Sequence, residues 1–125
     1  MNPPQNLKFT TMFLRTAFLL ALLLGLGDMF GLWPATRLLV DAHIIAGLLF
    51  LGSVWALATK VNKTAPGAAG PLWAALFVIL VGAVIALFMK ISGNLLGILH
   101  LVLMLLAMGM AEMGIARAKR RAASA

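Results

Sequence analysis

The chain contains no cysteine, and only 3 of its 125 residues are acidic. Without cysteine it can have no disulfide framework, no thiolate metal site, no iron–sulfur cluster and no covalently attached c-type haem. Charged residues make up 10% of the chain and hydrophobic residues 63%, whereas soluble domains are about 25% charged. So few charges cannot cover a water-facing surface, and the composition therefore predicts an integral membrane protein that lies in the lipid bilayer.

The length of the chain limits its architecture. A helix needs about 20 residues to cross the hydrocarbon core of a bilayer, which is about 30 Å thick. A chain of 125 residues therefore has room for four spans and almost no soluble domain. We expect an all-α membrane protein, a four-transmembrane-helix bundle that forms a single domain over residues 1–125. The apolar runs predict helices at residues 9–32, 36–59, 72–90 and 95–117.

One polar loop, residues 60–70, is rich in proline and glycine and divides the chain into two tandem helical hairpins. These hairpins cover about residues 9–60 and 71–119. An offset of 57 residues aligns one hairpin with the other and suggests an internal repeat. Because both hairpins begin on the same side, the repeat would be parallel, about an axis along the membrane normal. The offset superimposes Ala17 and Ala74, Gly25 and Gly82, His43 and His100, Gly52 and Gly109, and Lys60 and Arg117.

The positive charges predict the orientation in the membrane. If the four helices alternate in direction, the two termini and the central loop share one side. That side carries Lys8, Arg15, Lys60, Lys63, Arg117, Lys119, Arg120 and Arg121, and the other only Arg37 and Lys90. The positive-inside rule then places both termini in the cytoplasm, here of a bacterial inner membrane. It also explains the net charge of +7, so we expect no nucleic-acid partner; contact of the basic tail with anionic lipid heads is the more economical extra role.

The only two histidines, His43 and His100, lie inside apolar runs. His43 follows Thr36 by seven residues and His100 follows Asn94 by six, or about 9 to 10.5 Å of helix at 1.5 Å per residue. Helices 2 and 4 run the same way, so we expect both imidazoles at one depth, in the outer half of the membrane, holding one cofactor, a haem iron. Gly47 and Gly97 lie about one turn from these histidines and would leave room for a flat ring. Interhelical hydrogen bonding, and proton or metal chemistry, are the other interpretations.

Four spans with His43 and His100 at matched depth resemble the small four-helix b-type membrane cytochromes, including the cytochrome b561-like group. Members often hold two haems with four histidines. The resemblance here implies one bis-histidine haem b near the outer face, with Arg37 and Lys90 as the cations available to its propionates and Asn94 and Trp33 as hydrogen-bond donors. It implies one-electron transfer, an electron-transfer or quinol-linked oxidoreductase role, with a quinol or a periplasmic electron carrier as partner.

The acidic residues have local explanations. Asp41 follows Arg37 by four residues, so we expect a helix-surface ion pair. Asp28 has three interpretations: a hydrogen-bond acceptor for a histidine N–H, the carboxylate of a two-histidine, one-carboxylate site for non-haem iron, or an ion pair with Arg37. We expect Glu112 to pair with Arg15 or Lys60.

Two other classes of function fit four short spans. One is a small transporter or channel subunit, although residues 17–24 of the first span lack the acidic residue that small multidrug exporters carry there. The other is a cofactor-free accessory subunit of a larger membrane complex, or a homo-oligomer. Met104, one turn after His100, is expected to serve in packing rather than as a ligand.

Overall fold

The computed structural model describes residues 3–34, 36–88 and 94–124, with the side chains of residues 3–6 and 94 not included. Within these residues the fold is entirely helical, without a strand. All four helices are long and apolar enough to cross a membrane, which confirms their predicted number and order. The helices are α1 (Pro3–Met29), α2 (Arg37–Thr64), α3 (Gly70–Leu87) and α4 (Asn94–Ser124), with one turn of 3₁₀ helix at Pro66–Ala68 between α2 and α3.

A glycine ends α1 three residues before the predicted boundary. Gly31 has a φ of 65°, a left-handed conformation that costs glycine nothing. The amide of Leu32 donates to the carbonyl of Gly27 at 2.9 Å and that of Gly31 to Asp28 at 3.3 Å. This pair of bonds is a Schellman motif, which satisfies the last carbonyls of the helix.

A threonine side chain caps the start of α2. The amide of Leu39 donates to the Thr36 hydroxyl at 3.3 Å, and the amide of Val40 donates to the Thr36 carbonyl at 3.1 Å. Thr36 is therefore the N-cap residue, and its hydroxyl satisfies one of the amides that the first turn leaves without a partner.

Helix α2 continues five residues past its predicted end and stops before a proline. Its polar last residues still favour helix, but Ala65 has φ −146° and ψ 71°. A residue that precedes proline is sterically kept out of the helical region, so Pro66 ends the helix. The predicted loop at residues 60–70 is thereby reduced to the short connection at 65–69.

The ends of α1 and α4 nearest the chain termini also differ from prediction. Helix α1 begins six residues earlier than predicted, at Pro3, and α4 continues seven residues further, to Ser124. Alanine, lysine and arginine favour helix strongly, so the basic tail extends α4. Helix α3 ends at Leu87, with Phe88 as its C-cap; Lys90 and residues 91–93 of the predicted turn lie outside the described residues.

The chain forms two compact units, Met1–Ser53 and Val54–Ala125. In the first, α1 and the first part of α2 pack as an antiparallel pair. The rings of Phe18 and Phe50 stack with centroids 5.2 Å apart. Buried residues on the two helices follow the spacing of three and four that places side chains on one helical face: Leu14, Ala17 and Phe18 on α1, and Ala46, Phe50 and Ser53 on α2.

In the second unit, α3 packs antiparallel to α4 through small residues. Leu72 lies against Gly114, where a β-carbon would come within 2.7 Å of the leucine Cγ. Small side chains let helix backbones approach closely, and this seam consists of Leu72, Ala75, Ile79 and Gly82 on α3 and Ala107, Ala111, Gly114, Ile115 and Ala118 on α4.

Candidate histidine sites

His43 in the first unit is hydrogen-bonded to the preceding helix. Its Nδ1 lies 2.8 Å from the carbonyl oxygen of Ala21. The half-buried imidazole rests on Gly25, where a β-carbon would be 3.0 Å from Cε1 and 3.5 Å from Nδ1. Only glycine lets the ring approach α1 this closely without displacement, so Gly25 sets how near the imidazole lies to that backbone.

His100 in the second unit makes the corresponding bond. Its Nδ1 lies 2.9 Å from the carbonyl oxygen of Gly82 on α3. The same glycine touches the methyl group of Met104, one turn after the histidine on α4. Met104 therefore packs against α3 beside the His100 ring, as expected from the sequence.

The two hydrogen bonds fix the same tautomer. A backbone carbonyl can only accept, so Nδ1 of each histidine must be the protonated, donating nitrogen. The lone pair of each ring then lies on Nε2. A helical carbonyl has a second lone pair, so accepting this bond does not require breaking its own helical one. Histidines that coordinate metals are oriented in this way, by donation from the other ring nitrogen to a carbonyl or carboxylate.

The pairing of histidine and glycine recurs between the units. His43 rests on Gly25 and His100 lies near Gly82, and both pairs are separated by 18 residues in the chain. The acceptor differs by one turn, because His43 bonds the carbonyl of Ala21 whereas His100 bonds that of Gly82. In each unit, a histidine is thus held by the backbone of the helix that precedes its own, α1 for His43 and α3 for His100. We call each of these a histidine clasp.

No family model matches the chain, and comparison with curated proteins and with solved structures finds no match.

The residues that follow the histidines make the two clasps different. Gly47, four residues after His43, has no atom within 4 Å of the position that a β-carbon would take. The corresponding position after His100 is occupied by Met104, whose methyl group fills the space above Gly82. The space beside Gly47 is therefore open, and its use by a flat ring stays a prediction. Gly97, the small residue predicted to serve His100, is buried in α4.

One predicted ion pair is present in the first unit. Nε of Arg37 lies 3.8 Å from the carboxylate of Asp41, with both side chains exposed. This confirms the i,i+4 pairing. The structure shows the Arg37 guanidinium beside Asp41, and the alternative pairing of Arg37 with Asp28 stays a prediction. An action of Arg37 on a propionate stays a prediction. Lys90, the other predicted cation, and the side chain of Asn94 lie outside the described residues.

The carboxylates do not assemble a metal site. In the described part of the chain, no three histidine, aspartate or glutamate side chains are grouped so that they could hold a metal ion. Asp28 is exposed at the end of α1. The two-histidine, one-carboxylate interpretation of Asp28, which needs three such ligands together, stays a prediction. Glu112 is half-buried on α4, and its predicted partners stay predictions.

Two further glycines, Gly25 and Gly82, are equivalent positions of the predicted repeat and lie beside the histidines. The structure places an imidazole against the first and a methionine methyl against the second. The recurring separation of 18 residues between glycine and histidine is the signal that could have identified these contacts. Trp33, predicted as a donor to a ligand, lies over Gly27, and its buried Nε1 has no hydrogen-bond partner among the described residues.

Proposed function

We propose that the protein is a membrane cytochrome of b type, in which Nε2 of His43 and Nε2 of His100 ligate one haem b. The observation that carries the proposal is the shared tautomer: both histidines donate through Nδ1 to a backbone carbonyl, at 2.8 and 2.9 Å. Donation from Nδ1 orients the ring and raises the basicity of Nε2. The donor set therefore fits a haem iron, which accepts neutral imidazole nitrogen.

The lack of cysteine in the chain limits how a haem could be attached. A haem in this protein would be held by coordination and packing alone, because no thiol can bind its vinyl groups or its iron. When bound, haem supplies a one-electron couple between ferric and ferrous iron. The protein residues hold the imidazoles, exclude water through the apolar faces of the helices, and supply charge near the propionates. Arg37 and Lys90 are proposed for that last role, with a quinol or a periplasmic electron carrier as the exchange partner.

We place the protein in the bacterial inner membrane with both termini in the cytoplasm. Four candidate spans support a membrane location, and eight of the ten basic residues lie on the side of the termini if successive spans alternate in direction. Short loops and span ends on the cytoplasmic side of a membrane carry an excess of lysine and arginine. The histidines then belong to the outer half of the membrane, near a periplasmic donor or acceptor.

Visible absorption spectra test the proposal. Asparagine variants of the two histidines distinguish ligation of iron through Nε2 from the hydrogen bond that Nδ1 donates. Asparagine places an N–H donor close to the position of histidine Nδ1 but has no counterpart of Nε2. His43→Asn and His100→Asn should thus keep the bond to the carbonyl of Ala21 or Gly82 and remove one iron ligand. The purified protein should show a sharp Soret band with reduced α and β bands, and each variant should lose the low-spin spectrum.

The same spectra include the result that contradicts haem binding. A colourless protein that stays colourless after addition of haemin, or a double His→Asn variant that keeps the low-spin spectrum, would refute ligation by these histidines. A colourless protein whose His→Asn variants fold normally but whose His→Ala variants do not would show that the clasps serve helix pairing only. That outcome favours the second candidate function, an accessory or transport subunit. The two hydrogen bonds between helices are compatible with that function as well.

A further inference from the structure

The cytoplasmic end of α4, as proposed above, carries an ordered arginine face. Helix α4 extends to Ser124, and Arg117, Arg120 and Arg121 are all exposed on it. Residues three and four apart share one side of a helix, so the three arginines lie within an arc of about 100° at 3.6 residues per turn. Among the described residues, none of these guanidinium groups has an ion-pair partner.

A neighbouring side of the same turns is packed, which holds the arginine face in place. Ala118 is 4% exposed, and Ala68 and Ala69 of the connection before α3 are 0% and 1% exposed. A β-carbon at Gly67 would lie 2.5 Å from the guanidinium nitrogens of Arg121, so that arginine lies over the backbone of the 3₁₀ turn. The end of α4 and the 3₁₀ turn are in contact, and the basic segment is therefore a docked helix rather than a loose tail.

The position of the face along α4 matches the depth of lipid headgroups. A span that starts at Leu95 and needs about 20 residues ends near Gly114. Arg117 then lies about 4.5 Å and Arg121 about 10.5 Å beyond that end, at 1.5 Å per residue. The headgroup layer on each side of a bilayer is about 5 to 8 Å thick. Arg117 therefore lies at headgroup depth if α4 spans the bilayer as proposed, and the long side chains of Arg120 and Arg121 can extend back to the phosphate groups.

We propose that Arg117, Arg120 and Arg121 form a binding face for the phosphate headgroups of anionic phospholipids. The planar guanidinium group binds phosphate through two parallel N–H donors. Clusters of basic residues just beyond a membrane span attract anionic lipids. A free nucleic acid offers the same phosphate chemistry, but lipid is the anionic partner that an apolar span of this length brings into contact with the face. The proposal does not depend on haem binding.

Lipid titration of the detergent-purified full chain, followed by native mass spectrometry, tests this face. Phosphatidylglycerol should bind about tenfold or more tightly than phosphatidylcholine, because basic residues near a surface add their attractions. The preference should disappear in the triple variant Arg117→Gln, Arg120→Gln, Arg121→Gln. Glutamine favours helix about as well as arginine, so far-UV circular dichroism should be unchanged.

A neighbouring pair of residues supplies the matched control. Arg120→Gln and Lys119→Gln remove the same charge from adjacent exposed positions, but Lys119 lies about 150° from the centre of the arginine face. Arg120→Gln should weaken phosphatidylglycerol binding severalfold and Lys119→Gln should change it little. Equal losses in both variants, equal lipid binding by the triple variant and the parent chain, or binding of a single-stranded RNA oligomer in preference to the lipid would each overturn the proposal.

Discussion

At the scale of single residues, two glycines decide where the imidazoles lie. The three atoms nearest to a potential β-carbon at Gly25 all belong to the ring of His43, whereas those at Gly82 belong to Met104, Leu103 and His100. Two histidines in apolar runs were evident in the sequence, and their shared hydrogen-bonding pattern was not. Glycine is common wherever membrane helices pack closely, so the twelve glycines of the chain do not by themselves indicate which ones contact a histidine.

Gly25→Ala should disturb the first histidine clasp. Its β-carbon would lie 3.0 Å from Cε1 of His43, so the ring must move and the bond to the Ala21 carbonyl should lengthen. Loss of one such bond costs about 0.5 to 1.5 kcal/mol of stability. Nitrogen-15 NMR of labelled histidine should show a changed Nδ1 resonance for His43 and an unchanged one for His100.

Gly47→Ala is the control for that experiment, because no atom lies within 4 Å of the new methyl group. It should leave the Nδ1 resonance close to that of the parent chain and the unfolding midpoint of the protein unchanged or slightly raised, because alanine favours helix over glycine. A Gly25→Ala spectrum identical to that of Gly47→Ala would show that the His43 ring is not held against α1.

At the scale of the helices, apolar length predicted the spans well and their ends less well. The run of apolar residues sets how much of a helix can lie in lipid, which is why the order and number of helices were correct. Helix ends depend on capping and on propensity outside the apolar run. The cap at Thr36 and the stop before Pro66 are signals that can be seen in the local sequence. The continuation of α4 to Ser124 depends on alanine and arginine residues, which favour helix but are also typical of a charged tail without regular structure.

The cap at Gly31 gives a prediction about α1. Gly31→Ala should destabilise the protein by about 1 to 2 kcal/mol, since an alanine pays that much to adopt the left-handed conformation. The change should appear as a lower unfolding midpoint in a denaturant titration followed by circular dichroism.

Gly52→Ala supplies the comparison, because Gly52 is helical in α2 and a methyl group there meets no atom within 4 Å. That variant should be neutral or more stable, by up to about 1 kcal/mol, because alanine favours helix over glycine. Equal effects of the two substitutions would mean that the φ of 65° at Gly31 does not limit the stability of α1.

At the scale of the whole molecule, the division into two compact units, Met1–Ser53 and Val54–Ala125, accompanies the repeated histidine clasp. The sequence offset of 57 residues predicted a repeat of hairpins. The histidines and the glycines beside them recur at that offset, whereas the acceptor carbonyls differ by one turn. The boundary between the units falls inside α2, a position that no composition change marks. Continuous helix crosses it, so the polar loop alone could not reveal it.

The lack of cysteine permits a direct test of orientation. Thr64→Cys and Ser124→Cys introduce single thiols at the ends of α2 and α4, and Leu32→Cys introduces one in the exposed turn after α1. With both termini in the cytoplasm, a membrane-impermeant maleimide should label the first two only in inverted vesicles and the third only in intact spheroplasts. The reverse pattern would place the histidines in the inner half of the membrane.

The histidine clasp also bears on how the protein is made. Each imidazole finds its carbonyl on the helix that immediately precedes it in the chain, Ala21 for His43 and Gly82 for His100. A polar group inside hydrocarbon is costly until it is hydrogen-bonded. A hairpin that has just left the ribosome can satisfy its own histidine without waiting for the other hairpin. If the helices span a bilayer as proposed, synthesis can deliver the protein to it as two successive hairpins, each with its histidine already hydrogen-bonded.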